Sequence, residues 1–153
     1  MNQNFPNRIV LIDDDKDDCF LFEEALMETR PGAEFKCFYS CIDLGDKLRE
    51  FSPDLIFLDI NMPIMPGFEC LQQILSEKPF SRLPVVVFSS SKNERDINVS
   101  YGMGAKLFFQ KPSSYQQLVK ELREILQLDW YNPGSIATRQ FVGGKYIPYS
   151  SQN

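Results

Sequence analysis

The chain has 153 residues, 43 % of them apolar and 24 % charged, the profile of one soluble globular domain large enough to bury a substantial core. A net charge of −5 argues against the clustered basic surface that nucleic acid needs, and no apolar run approaches the roughly eighteen residues of a membrane span. Histidine is absent, so imidazole can act here neither as base, nor as metal ligand, nor as phosphate carrier.

The opening segment, MNQNFPNR, lacks the basic-then-apolar pattern of a secretory signal, so a cytoplasmic location is the expected default. RIVLI (8–12) is a continuous apolar run, as expected of a strand covered on both faces. Residues 16–29 read as a helix that ends at Arg30-Pro31-Gly32. EFKCFY (34–39) alternates with period two and predicts a second strand, and Leu44, Leu48 and Phe51 mark a helix over 41–51. DLIFLD (54–59) is another fully apolar strand, followed by a loop from Asn61 to Gly67 with two prolines. Phe68, Leu71, Ile74 and Leu75 predict a helix closing near Lys78-Pro79, and PVVVFS (84–89) is a β-branched strand. SKNE (91–94) fits a capping box opening a polar helix to about Tyr101. AKLFFQ (105–110) is the fifth strand, and Ser114 with Gln117 caps a last helix carrying Leu118, Leu122, Ile125 and Leu126. Residues 129–153 break the pattern with prolines, glycines and scattered aromatics, and read as a tail rather than a second domain.

Strict βα alternation over residues 1–128 predicts a parallel sheet with helices on both faces. Right-handed crossovers leave few topologies, and a flavodoxin-like order 2-1-3-4-5 is the expected one. The four cysteines, Cys19, Cys37, Cys41 and Cys70, lack zinc-ligand spacing and are expected to be buried free thiols.

In such a sheet ligands bind beyond the carboxyl ends of the strands. The first strand ends in Asp13, Asp14 and Asp15, and the third in Asp59. The fourth ends in Ser89, Ser90 and Ser91, the fifth in Lys111-Pro112, and the second offers no such group. Each residue alone has an ordinary role as turn, cap or strand end; their coincidence on one edge does not. Clustered carboxylates at about 4 Å repel by roughly 4 kcal/mol per pair at an effective dielectric of 20, so a cation is needed. All-oxygen donors suit Mg²⁺ and phosphate chemistry, in which one aspartate can attack phosphorus and form an acyl phosphate.

With those residues in place, the chain resembles the receiver domains of two-component response regulators, of the chemotaxis-regulator type. VLIDDD matches the acidic pair of the first strand, which implies Mg²⁺ ligation by Asp13 and Asp14. PDLIFLDINMPIMPGFE matches the phosphoacceptor strand and loop, implying Asp59 as nucleophile and the Asn61 backbone carbonyl as a further metal ligand. LPVVVFSS places Ser89, with Ser90 beside it, at the hydroxyl switch position; LFFQKP supplies Lys111 and implies a cis peptide before Pro112. The switch aromatic falls on Phe108, which carries no hydroxyl and is expected to turn inward on phosphorylation.

The resemblance implies a stand-alone signalling domain, not a turnover enzyme. It would be phosphorylated by a sensor histidine kinase or phosphotransfer protein and would contact an unknown downstream protein. A homodimer is a further expectation, through the surface of the fourth helix, fifth strand and fifth helix or through the tail. Two other readings fit less well. An EF-hand loop from Asp13 to Glu24 would need glycine where Asp18 stands and a helix before it. A haloacid-dehalogenase-like phosphatase, with Asp13 as nucleophile and Asp15 as acid, leaves the Asp59 motif unexplained. A receiver-like module that is never phosphorylated would not need the full acidic and lysine set.

Overall fold

The computed structural model describes residues 5–63 and 67–151, so residues 64–66 of the expected 61–67 loop and the last two tail residues lie outside it. Strands β1 (Arg8–Ile12), β2 (Glu34–Phe38), β3 (Leu55–Leu58), β4 (Val85–Ser89) and β5 (Leu107–Gln110) form one parallel sheet in the order β2-β1-β3-β4-β5. Helices α1 (Lys16–Thr29), α2 (Leu44–Phe51), α3 (Gly67–Ser76) and α4 (Glu94–Met103) connect them, and α5 (Tyr115–Leu126) follows β5.

The two faces of the sheet divide the core by strand parity. Val10, Ile12, Ile56, Leu58, Val85, Val87 and Phe108 face α2, α3 and α4. Ile9, Leu11, Leu55, Phe57, Val86, Phe88 and Phe109 face α1 and α5. Apart from Arg8 at the start of β1 and Ser89 at the end of β4, the three central strands are therefore apolar, whereas edge strand β2 is only half-buried.

Helix starts are set by side-chain caps. The Asp15 carboxylate accepts from the Asp17 and Asp18 amides at 2.9 and 3.2 Å, and Ser114 Oγ accepts from Gln117 N at 3.1 Å. The capping box expected at Ser91–Glu94 does not form. Ser91 Oγ instead accepts from Asn93 N and donates to Asp96 Oδ2, and Asn93 becomes the cap through Arg95 N. Gly67 opens α3 against the β3 end so closely that a Cβ there would lie 2.1 Å from Ile60 Cα. Only glycine fits that approach.

The cysteines correct one expectation. Cys19 is paired with Cys37 and Cys41 with Cys70, at Cα separations of 6.4 and 6.1 Å, so none is a free thiol. The partners are 18 and 29 residues apart and meet only because α1 packs on β2 and α3 lies beside the β2–α2 connection.

After α5 the chain forms helix α6 (Pro133–Arg139) and a hairpin, β6 (Phe141–Val142) and β7 (Lys145–Tyr146), turned by Gly143 and Gly144 at positive φ. Trp130 and Ile136 join the α1/α5 side of the core, whereas Ala137 and Tyr146 pack on the α4 side. The segment thus wraps the β5 edge of the sheet.

Candidate functional site

The register of the sheet brings the expected groups together. Ile12 pairs with Leu58, so Asp13 and Asp59 emerge side by side at the carboxyl edge, and Asp59 N donates to Ile12 O at 2.9 Å. Both carboxylates are buried, while Asp14 is exposed at the rim. Each buried carboxylate has one oxygen held by backbone: Asp13 Oδ1 accepts from Asp15 N at 3.0 Å, and Asp59 Oδ1 from Asn61 N at 2.9 Å.

Lys111 holds the remaining oxygens. Its Nζ donates to Asp13 Oδ2 at 2.8 Å, Asp18 Oδ2 at 2.7 Å and Asp59 Oδ2 at 3.3 Å, and it lies 5.3 Å from the centre of the Phe88 ring. Its backbone N donates to Ser89 O at 2.8 Å, which ties the end of β5 to the end of β4. Burial pushes the Asp13 carboxyl up to about 6, with the Asp59 charge adding to it and the Lys111 and Asp15 hydrogen bonds opposing. Burial also works against the Lys111 ammonium, but its hydrogen bonds to Asp13 and Asp18 and the Asp13 and Asp59 charges prevail and hold its pKa above the usual lysine value.

Ser89 is fully buried, and its Oγ accepts from Asn61 Nδ2 at 2.9 Å and from Ser91 N at 3.1 Å. Ser90 is exposed and outside this network. Phe108 is fully buried in the α4-side core. The peptide before Pro112 is trans, contrary to expectation; among the described residues the cis bond is Phe5–Pro6. Trans is the default even before proline by about 0.5–1 kcal/mol, and Lys111 reaches all three carboxylates without leaving it.

Two contributors escaped the sequence reading, which gave no site role to Asp18 or to the Asn61 side chain. Asp18 sits on the first turn of α1 facing the site, a placement that the Asp15 cap and the helix start together define.

A divalent cation fits these residues. Asp13, Asp14 and Asp59 each offer a carboxylate oxygen within 4.8 Å of the others, a hard all-oxygen set. Two of the three are buried and, among the described residues, share Lys111 as their one ion-pair partner, which leaves negative charge for a cation to balance.

The fold and this acidic edge define a receiver-type signalling domain. The chain belongs to the response regulator receiver domain family, matching it over residues 9–123. It is 30 % identical over 131 residues to response regulator Rcp1 of Synechocystis sp., covering 80 % of this chain and 88 % of that one. It is also 39 % identical over 89 residues to a protein-glutamate methylesterase/protein-glutamine glutaminase of Vibrio cholerae, a match that covers only 24 % of that longer protein. Among solved structures, the phosphorylated cyanobacterial phytochrome response regulator RcpA superposes with TM-score 0.70 at 34 % identity, covering 78 % of this chain and 90 % of that one. The Mn²⁺-bound form of Rcp1 gives 0.70 at 29 % identity, covering 80 % and 94 %. No described helix is long and apolar enough to cross a membrane.

Proposed function

We propose that Asp59 accepts a phosphoryl group from phosphohistidine on a sensor histidine kinase or phosphotransfer protein, and that the chain signals in the cytoplasm by protein contact. The observation that carries this is the setting of Asp59: buried at the end of β3, one oxygen on Asn61 N, the other facing Lys111. A carboxylate oxygen attacks phosphorus, the P–N bond breaks, and its electron pair leaves on the donor imidazole. Mg²⁺ held by Asp13, Asp14, Asp59 and the Asn61 backbone carbonyl would supply charge neutralisation for the transferring group.

The chain's own residues do the rest. Lys111 balances charge on the phosphoryl oxygens as it now does on Asp59 Oδ2. Ser89 Oγ uses its lone pairs on Asn61 and Ser91, and its proton is directed to a phosphoryl oxygen once the Asn61 bond is exchanged. Ser90 lies exposed at the rim beside it. Phe108 is the switch aromatic, and its buried ring carries the change to the α4-side core. The added −1.5 to −2 charges, about the usual value for a phosphoryl group, are the signal. Turnover is limited to the domain's own phosphorylation and slow dephosphorylation.

Treatment with acetyl phosphate and Mg²⁺ should add one phosphoryl mass to the wild type and none to Asp59→Asn. An equal gain in the variant sinks the assignment.

A further inference from the structure

As the edge strand of the sheet, β5 presents an outer side that would otherwise be open to pairing. The chain's own C-terminal segment occupies it. Tyr149 N donates to Phe108 O at 2.7 Å, and Phe108 N donates to the Tyr101 hydroxyl at 3.0 Å. That same hydroxyl donates to Ile147 O at 3.0 Å, so Tyr101 joins the β5 backbone to the segment through one buried oxygen. The Tyr101 and Tyr146 rings stack at 4.5 Å and 9°, and Tyr149 Oη donates to Glu124 Oε1 at 2.7 Å on α5. Residues 140–149 therefore lie across α4, β5 and α5 together.

The contact falls on Phe108. Both backbone polar groups of this residue are used by the segment, directly or through Tyr101. Its ring packs in the same cluster as Ile60 and Met62, which follow Asp59 in the chain. Three residues on, Lys111 N is bonded to Ser89 O. Movement of Ser89 or Lys111 toward a new anion is thus transmitted to the strand position that the segment holds, and close-packed contacts do not deform smoothly. The docked state also carries a built-in cost: Gln140 Oε1 is buried without a hydrogen-bond partner among the described residues.

We infer that residues 140–149 are an intramolecular ligand of the α4–β5–α5 face, docked while Asp59 is unmodified and released when it carries a phosphoryl group. The inference rests on the phosphoryl-acceptor reading above. A partner protein or a second copy of this chain reaches that face only after the segment leaves, so the segment acts as an autoinhibitory cover.

The test uses the full chain with Mg²⁺ and beryllofluoride, a phosphoryl mimic, with binding followed by fluorine NMR and amide exchange read at Tyr149, whose N–H is bonded to Phe108 O. Binding should accelerate exchange at that amide by at least about fivefold, the lower end of ordinary coupling between sites. Tyr101→Phe removes the bridging hydroxyl; it should accelerate the same amide without beryllofluoride and, by reciprocity, tighten beryllofluoride binding by the same factor. Should Tyr101→Phe fail to fold, Tyr146→Ala, which removes the stacked ring, takes its place in the same two measurements. Bound beryllofluoride with unchanged or slowed exchange overturns the inference and leaves the acceptor reading intact. Absence of bound beryllofluoride overturns both.

Discussion

Replacing Asp13 by asparagine should stabilise the metal-free protein, although the residue is a member of the candidate site. Its carboxyl is fully buried and pushed from 3.8 up to about 6 by burial, with Asp59 adding to the shift and Lys111 opposing it. The native state therefore holds the Asp13 proton more tightly than the unfolded chain does. Between about pH 4 and pH 6 the folded form binds more protons, so this group's contribution to stability falls as pH rises and is fully lost by about pH 7. At about 1.36 kcal/mol per unit, the ionised group costs about 3 kcal/mol at neutral pH relative to a neutral one. Asparagine keeps the bond from Asp15 N but sets an amide against Lys111 Nζ, so we expect a net gain of about 2 kcal/mol. That corresponds to about 4–8 °C in Tm for a domain of this size. Thermal unfolding by circular dichroism in EDTA at pH 5 and pH 7 measures it: the wild type should lose stability over that interval and Asp13→Asn should lose less. Saturating Mg²⁺ should reverse the order, since a ligand at a hundred times its Kd adds about 2.7 kcal/mol to the form that binds it. An Asp13→Asn protein less stable than wild type at pH 7 in EDTA would refute the electrostatic account of the site.

Lys111→Gln leaves Asp13 and Asp59 buried without their cation and should lower metal-free stability at pH 7 by about 3 kcal/mol in urea titration, with much of the loss recovered on adding Mg²⁺. Asp18→Asn removes a partly exposed partner of the same lysine and should cost under about 1 kcal/mol in the same titration. Gly67→Ala would drive a methyl group into the Ile60 backbone and should cost about 3 kcal/mol or more, with near-normal helix content by circular dichroism if α3 only shifts outward. Alkylation of the unfolded, unreduced protein should modify no cysteine, and prior reduction should expose four, by mass; four adducts without reductant would contradict the Cys19–Cys37 and Cys41–Cys70 pairing.

Strand existence was readable because β1, β3 and β4 are continuous apolar runs bounded by polar or proline-containing segments, a pattern that only two-sided burial produces. The order of the sheet followed from alternation and crossover handedness, and with it the meeting of Asp13, Asp59, Ser89 and Lys111 on one edge. Capping was less legible. Ser114 sits one residue before its helix and caps it, but Ser91 has a closer partner in Asp96 and yields the cap to Asn93. The proline after Lys111 signals a turn without specifying its isomer, because the two differ by less energy than a few tertiary contacts.

Composition, periodicity and strand-end chemistry by themselves determined the fold class, the acidic edge and the absence of imidazole chemistry, because these depend on local pattern and on topology rules with few solutions. Tertiary structure alone decided which atoms share Lys111, that Asp18 joins them, and how cysteines 18 and 29 residues apart are paired. It also decided where residues 129–151 go. Their short, mixed elements carry no strong period of their own; their positions come from the unpaired edge of β5 and from Tyr101, which offer hydrogen bonds and an aromatic face that nothing else in the described chain covers.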